Sequence, residues 1–142
     1  MIVYADTSFL ASVYMPDAHS REAYRRMSVH PNVPISPFSR AEFANAVYRQ
    51  VFLHRVLEMD AKRAWDNFEF DCHSGLLQAS GFPEAAWNAN VDLARRFTST
   101  LGVRTLDSLH VACALELRAM KFWTFDQRQA KLAQAVGLDT NP

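Results

Sequence analysis

The segment Ile2–Ser8, with the sequence IVYADTS, decides how this chain begins to fold. Its first four residues form a short apolar run that includes β-branched side chains, which is typical of a buried strand. The run ends at a carboxylate, Asp6, and the Thr7 and Ser8 that follow favour the start of a helix. The segment therefore predicts a strand, an acid at its carboxyl end and then a helix.

Three later segments repeat the pattern of a short buried strand: Val33–Ser36, Leu76–Ala79 and Lys121–Phe125. Pro34 indicates that the first of them is an edge strand or a weak one, because proline cannot donate a ladder hydrogen bond. Segments with helical spacing separate the strands, and they are His19–Val29, Ala41–His54, Asp60–His73, Pro83–Leu101, Leu106–Leu117 and Gln127–Val136.

Strands that alternate with helices require crossover connections, and these favour a mainly parallel sheet with helices on both faces. The predicted fold is thus α/β, a three-layer α/β/α sandwich around a short sheet. A length of 142 residues with 49% hydrophobic composition suits one domain over residues 1–142.

The charge balance excludes a strong overall attraction to polyanions. The chain has 15 basic and 15 acidic side chains, so any contact with nucleic acid must be local. The two cysteines, Cys72 and Cys113, form no CxxC pair, which argues against a zinc site and against a disulfide framework. These features fit a reducing cytoplasm.

The chain also shows no pattern of a targeting or membrane segment. The apolar start is broken at Asp6 and has no basic region before it, which argues against a signal peptide. No run approaches the roughly 18 apolar residues that a membrane-spanning helix needs. We therefore expect a cytoplasmic protein without a membrane partner.

Four acids occupy the same kind of position in the predicted fold. Asp6 and Asp126 directly follow strands, whereas Glu42 and Asp107 are expected in the first turns of helices. In open α/β sheets, ligands bind beyond the carboxyl ends of the strands. The four carboxylates are therefore expected to face one crevice.

Each acid also has a structural explanation. Asp126 can cap a helix, Ser39 and Glu42 have the spacing of a capping box, and Asp107 can complement a helix dipole. Asp6 is harder to explain in this way, because a charge at the end of a buried strand is costly unless it is paired or coordinated. Capping alone does not require every such position to carry an acid.

Clustered carboxylates repel each other and favour a hard divalent cation. Magnesium is the natural candidate, since it takes oxygen ligands and leaves room for waters and a substrate phosphate. Such an ion supports hydrolysis of phosphodiester bonds without a catalytic His or Cys. The acids Asp6, Glu42, Asp107 and Asp126 are therefore the candidate catalytic and metal-binding residues.

Three segments of the chain resemble the PIN-domain family, and more narrowly the VapC toxins of bacterial and archaeal toxin-antitoxin modules. These segments are Tyr4–Leu10, Arg104–Ala112 and Thr124–Gln129. Together they extend over almost the whole chain in the expected order. The resemblance implies a parallel sheet between helices and a magnesium or manganese site.

The resemblance also implies an activity and partners. It implies an endoribonuclease that acts on RNA, often tRNA or rRNA, forms homodimers and is inhibited by a small antitoxin encoded beside it. Asp6 and Asp107 resemble the principal metal ligands, Glu42 and Asp126 complete the acidic quartet, and Thr7 or Ser8 supports the ligands by hydrogen bonds.

Other functions fit less well. A phosphatase of the haloacid dehalogenase type needs a second Asp two positions after Asp6, where this chain has Ser8. A receiver domain needs a phosphoacceptor Asp after a middle strand, where this chain has Ser80. A non-catalytic PIN-like module that regulates or binds a partner remains as the alternative.

Several other residues have two interpretations. His110 is expected to be a packed histidine rather than a metal ligand. Trp65, Phe68 and Phe70 are expected in the core rather than in a groove for an antitoxin helix. The arginines that could contact RNA phosphates or remain solvated are Arg21, Arg25, Arg26, Arg49, Arg55, Arg95 and Arg96.

Overall fold

The computed structural model describes residues 1–142 and contains all four predicted strands. The strands are β1 (Val3–Ala5), β2 (Val33–Ile35), β3 (Leu77–Ala79) and β4 (Lys121–Trp123). The helices are α1 (Thr7–Tyr14), α2 (Ser20–Met27), α3 (Pro37–Phe52), α4 (Glu58–Ser74), α5 (Ala86–Leu93), α6 (Ser99–Leu101), α7 (Thr105–Glu116) and α8 (Gln127–Ala135), and a π-helical turn (Ala94–Thr98) joins α5 to α6.

The strands pair in parallel, as the sequence predicts. β1 pairs with β4 and places Tyr4 opposite Phe122, and β2 pairs with β3. A single bridge between Ile2 and Asn32 brings β1 alongside β2. The strands therefore stand side by side in the order β3, β2, β1, β4.

Pro34 explains why the ladder is interrupted between β1 and β2. The carbonyl of Ile35 accepts a hydrogen bond from Ser80 on the β3 side at 2.9 Å. Since neighbouring residues of a strand direct their backbone groups to opposite sides, the nitrogen of Pro34 points toward β1. It has no hydrogen to donate, so Pro34 weakens an internal strand and does not mark an edge.

Helices cover both faces of the sheet, which confirms the three-layer α/β/α prediction. Along β1, Val3 and Ala5 pack into a core with α1, α2, α3 and α4. Tyr4 points to the opposite face and packs with α5, α7 and α8. Because side chains alternate along a strand, the three residues of β1 are divided between the two cores.

The first turn of α3 differs from the prediction. The helix begins at Pro37, and Ser36 caps it by accepting a hydrogen bond from the amide of Ser39 at 3.2 Å. Proline is well suited to the first helical position because its fixed φ matches the helix and its missing hydrogen is not needed there. The predicted capping box of Ser39 and Glu42 is therefore wrong, and Glu42 lies beyond the first turn.

Two helix predictions also need correction. The helix expected from Pro83 begins at Ala86 and changes to a π-helical turn before Leu101. The spacing of Leu106, Leu109 and Cys113 predicts one apolar face of α7, but Leu106 is 52% exposed. No helix in the structure combines the length and the apolar character needed to cross a bilayer.

Candidate functional site

Asp6 lies at the carboxyl end of β1, where the chain turns into α1. Its side chain is completely buried. Oδ1 accepts hydrogen bonds from the Ser8 hydroxyl at 2.7 Å and from the Phe9 amide at 2.9 Å, and Oδ2 accepts one from the Thr124 hydroxyl at 2.6 Å. Asp6 therefore caps α1 and joins β1 to the end of β4.

Burial raises the pKa of Asp6 above its ordinary value. The positive potential of His110 and the hydrogen bonds from Thr124, Phe9 and Ser8 act in the opposite direction but do not cancel the loss of solvation. The ionised form of Asp6 is thus held at an energetic cost. The N-terminus of α1 therefore does not compensate for the burial of Asp6.

Thr124 connects Asp6 with Asp126. Its Oγ1 donates to Asp6 and accepts a hydrogen bond from the Asp126 amide at 2.9 Å. The side chain of Asp126 caps α8, since its Oδ1 accepts from the amides of Arg128 at 2.8 Å and Gln129 at 3.1 Å. The capping interpretation of Asp126 is therefore confirmed.

Glu42 points from α3 toward the end of β1. Its Oε1 accepts hydrogen bonds from the Thr7 hydroxyl and from Nε2 of His110, the latter at 2.5 Å. Burial alone would raise the pKa of Glu42, but the hydrogen bond and charge of His110, the hydrogen bond from Thr7 and the charge of Arg104 together outweigh it, so the pKa is lowered. Glu42 is therefore held in its ionised form.

His110 is buried, as expected for a packed histidine, and both its ring nitrogens have partners. Nδ1 lies 2.9 Å from the Tyr4 hydroxyl, and Nε2 contacts Glu42. Burial raises the pKa of Tyr4 well above its ordinary value, so the hydroxyl keeps its proton. Nε2 donates to the Glu42 carboxylate, which can only accept, and Nδ1 shares a second hydrogen bond with the Tyr4 hydroxyl.

Asp107 lies in the first turn of α7, in agreement with the prediction. Its side chain is 13% exposed. Oδ2 accepts from Nε of Arg104 at 3.2 Å, and Oδ1 accepts from Nε2 of Gln129 at 3.3 Å. Arg104 also lowers the pKa of Glu42 through its charge, so its guanidinium acts on both carboxylates.

Glu42 and Asp107 line the same cleft, which has a volume of about 620 Å³. The other polar side chains that line it are those of Thr7, Asn45, Arg49, Gln50, Arg104, Thr105 and Gln129. Asp6 and Asp126 are not part of this lining. Two of the four predicted acids therefore face the cleft, one is enclosed behind it and one caps a neighbouring helix.

The groups on the cleft fit a hydrated magnesium ion better than a closed cage of protein ligands. No three or more His, Cys, Asp or Glu side chains are grouped so that they could hold one ion. Magnesium, however, usually takes one or two carboxylates and completes its shell with waters and phosphate. Gln129 donates to Asp107 through Nε2, and its Oε1 is buried without a hydrogen-bond partner.

Three contributors to the site were missed in the sequence. Thr124 stands two residues before Asp126, and its hydroxyl at a strand end was a readable signal. Arg104 stands three residues before Asp107, and this spacing on a helix indicates that the two side chains can pair. Nothing in the sequence indicates that Tyr4, which alternates to the other face of the sheet, reaches His110.

A family model described as the PIN domain matches residues 3–135 of the chain. The chain is similar in structure to the Mycobacterium tuberculosis sarcin-ricin loop cleaving toxin VapC20, with a TM-score of 0.72, 18% identity and 99% of each chain covered. It is also similar to VapBC2 from Rickettsia felis bound to a promoter DNA fragment, with a TM-score of 0.70, 15% identity, and 99% of this chain and 98% of the other covered.

A third similar structure is FitAcB from Neisseria gonorrhoeae, with a TM-score of 0.66 and 18% identity over 100% of this chain and 98% of the other. At these identities the similarities establish a shared fold. A comparison with curated protein sequences finds no match.

Proposed function

This chain belongs to the PIN domain family, and we propose from that premise that it is a magnesium-dependent endoribonuclease. The observation that carries the proposal is the polar cleft on which Glu42 and Asp107 lie together with Arg49 and Arg104. Carboxylates bind a hard cation and guanidinium groups bind phosphate. A phosphodiester can bind both to such a cation and to the guanidinium groups.

Within this proposal, Glu42 and Asp107 are the ligands that face the cleft. Asp6 adds negative charge directly behind Thr7 and holds the ends of β1 and β4 together, while Asp126 fixes the start of α8 and with it Gln129. Two of the four acids thus face the reacting groups, and the other two hold the structure around them. Manganese, which also accepts oxygen ligands, is expected to replace magnesium.

Arg49 and Arg104 are proposed to hold the RNA backbone. Both line the cleft, and the Arg104 side chain is 74% exposed. Arg25 and Arg26, by contrast, bind Glu22 on α2. A chain with no net charge can bind RNA in this way because the positive groups lie beside the reacting phosphate.

The chain's own side chains offer no exposed acid-base histidine on the cleft lining. His110 is buried and both its nitrogens are engaged, so it cannot exchange protons with a substrate directly. A bound magnesium ion would supply charge stabilisation at the phosphate and acidify water for the attack. Glu42 and Asp107 orient the reacting groups, and the lowered pKa of Glu42 keeps its carboxylate ionised, while Arg104 neutralises the phosphate charge.

The proposal is tested by incubating the purified chain with structured RNA, including tRNA and rRNA fragments, in magnesium. We expect cleavage that EDTA stops and that Asp107→Asn abolishes without lowering the melting temperature. Asp66→Asn is the matched control, since Asp66 is an exposed acid paired with Lys62 on α4, and it should cleave normally. Cleavage by Asp107→Asn at the wild-type rate, or in EDTA, would refute the proposal.

We further propose that the enzyme is the toxin of a toxin-antitoxin pair and that an antitoxin helix occupies an apolar groove. Two of the similar structures, VapBC2 and FitAcB, carry names that each combine two protein names, as expected for a complex of two proteins. The groove, of about 750 Å³, lies between α1, α2 and α4 and is lined by Tyr14, Tyr24, Val56 and Phe70 among others.

The aromatics of α4 divide between core and groove. Phe68 is fully buried and Trp65 packs against the core, as predicted, whereas Phe70 is 70% exposed and lines the groove. An exposed aromatic on a concave apolar surface is typical of a helix-binding site. The core prediction is therefore wrong for Phe70 alone.

Growth arrest on expression, relieved by a small protein encoded beside the gene, is the expected cellular result. Phe70→Ser should weaken binding of that protein and leave RNA cleavage unchanged. Normal growth at high expression of folded protein would contradict the toxin proposal. Partner binding without RNA cleavage would instead favour the non-catalytic alternative, and sedimentation of the purified chain tests the implied homodimer.

A further inference from the structure

We propose that His110 is a positioning residue that holds Glu42 against the cleft and that Tyr4 fixes the His110 ring for this task. This inference rests on the proposed function, because it concerns the orientation of a carboxylate that the proposal makes a metal ligand. Tyr4, His110 and Glu42 form a hydrogen-bonded network that runs from the sheet to the cleft.

The geometry of the network is specific. Nε2 of His110 lies 2.5 Å from Oε1 of Glu42, and Nδ1 lies 2.9 Å from the Tyr4 hydroxyl. Three different elements, β1, α7 and α3, contribute one member each. A hydrogen-bonded chain of this kind costs free energy to bury unless every group is satisfied, and here each group has a partner.

Aromatic packing fixes the ring of His110 in addition to its hydrogen bonds. The Phe38 ring centroid lies 4.6 Å from that of His110, and the Tyr4 centroid lies 5.7 Å away. Phe38 and Glu42 are one turn apart on α3, so one helix contacts both the face and the edge of the imidazole. Tyr4 in turn stacks on Phe122 of β4. The ring therefore has little freedom to rotate.

This rigidity matters because Glu42 is a long side chain on a helix beside an open cleft. A free glutamate carboxylate samples several rotamers, and each one lost on binding costs affinity. Hydrogen bonds from outside the metal shell orient carboxylate ligands and typically change metal affinity about 10- to 100-fold. Oε1 of Glu42 is engaged by His110 and Thr7, so His110 selects one orientation in advance.

The decisive experiment compares two variants that differ by one methylene. In His110→Gln the amide nitrogen can reach the position of Nε2 and still donate to Glu42. In His110→Asn the shorter side chain can pair only with Tyr4. We measure Mn²⁺ affinity by electron paramagnetic resonance and determine the Glu42 rotamer in crystals of each variant.

We expect His110→Asn to raise the Mn²⁺ dissociation constant about 10-fold or more and to change the Glu42 rotamer, while His110→Gln restores both. Val111→Ala, at a fully buried neighbour in α7, controls for general loss of stability and should leave Mn²⁺ binding unchanged. Tyr4→Phe should also raise the Mn²⁺ dissociation constant, but by less than His110→Asn. If a His110 variant does not fold, Tyr4→Phe is measured in its place.

An unchanged Mn²⁺ affinity in His110→Asn, or in Tyr4→Phe where that variant takes its place, would overturn the inference. An unchanged Glu42 rotamer would do the same. Failure of the proposed function has a different signature, because the wild-type chain would then bind no Mn²⁺ and cleave no RNA. In that case the Glu42 rotamer in the variants still decides whether His110 positions it.

Discussion

Around Asp6 each carboxylate oxygen has a hydrogen-bond donor within 2.9 Å and the side chain is enclosed, whereas Glu42 and Asp107 border a cleft of about 620 Å³. We call the first region, formed by Asp6, Ser8 and Thr124, the closed corner, and the second the open cleft. Both regions hold carboxylates that the sequence placed in one class.

The position of an acid at a strand end therefore does not determine its role. In the closed corner, Asp6 is saturated with donors and its ionised form is still disfavoured by burial. In the open cleft, Glu42 is stabilised as an anion and Asp107 has only two longer contacts. The closed corner thus holds strand ends together, and the open cleft presents the carboxylates that we propose bind a cation.

The largest expected effect separates the open cleft from the capping acid. Glu42→Gln should lower the RNA cleavage rate by at least about 100-fold, because it removes a charge that faces the substrate. Asp126→Asn should lower it by less than about 10-fold, since asparagine is an equally good helix cap. Initial rates at saturating magnesium measure both. Equal losses would show that the two acids share one task and would break the comparison.

The next effect concerns the hydroxyl that closes the corner. Thr124→Val should lower the free energy of unfolding by about 1–3 kcal/mol, because it leaves Asp6 Oδ2 and the Asp126 amide without a partner. Urea denaturation in EDTA measures this. Thr100→Val, at an exposed position of α6, is the control and should change stability little. A Thr124→Val variant as stable as the control would mean that the corner is not held by this hydroxyl.

A smaller effect with the opposite sign is expected for Asp6→Asn. Since burial disfavours the ionised carboxylate, the neutral amide should leave the metal-free protein at least as stable as wild type at pH 7. The rise in melting temperature on adding magnesium should shrink, because the negative charge behind Thr7 is lost. Differential scanning calorimetry with EDTA and with magnesium gives both values. Clear destabilisation in EDTA would contradict the assigned cost of the buried charge.

The smallest effect is expected at Glu22, a partly exposed acid on α2 that serves as a reference. Hydrogen bonds from Arg25 and then Arg26 lower the pKa of Glu22 from 4.5 to about 2. A pKa lower in the folded state than in the unfolded state means that the stabilisation is present above pH 4.5 and is lost as the pH falls through about 2.

Glu22→Gln should therefore slightly lower the melting temperature at pH 7, and the difference should disappear near pH 2. Neutralising this acid weakens the protein, whereas neutralising Asp6 does not. Melting curves of both variants across this pH range test the contrast. A Glu22→Gln variant as stable as wild type at pH 7 would contradict the expected stabilisation by the ionised Glu22.

Local sequence patterns were sufficient to predict the strand and helix order and the parallel direction of the strands. Ile2–Ala5 is an apolar run, Asp126 follows another, and strands that alternate with helices leave few topologies. That β1 lies beside β4, so that their carboxyl ends meet, is a feature of the tertiary structure. Local pattern also gave the cap at Asp126, because capping is an interaction within a few residues.

Which acids face the cleft and which are enclosed depends on tertiary packing. Asp6 and Thr124 are far apart in the chain, as are Glu42 and His110, and such contacts depend on how helices pack against the sheet. Because α3 begins at Pro37, Glu42 lies beyond the first turn. The tertiary packing of α3 then brings its side chain to His110 of α7. Burial and hydrogen bonding then set the charge state of each acid, because solvation is lost only when distant elements close over a side chain.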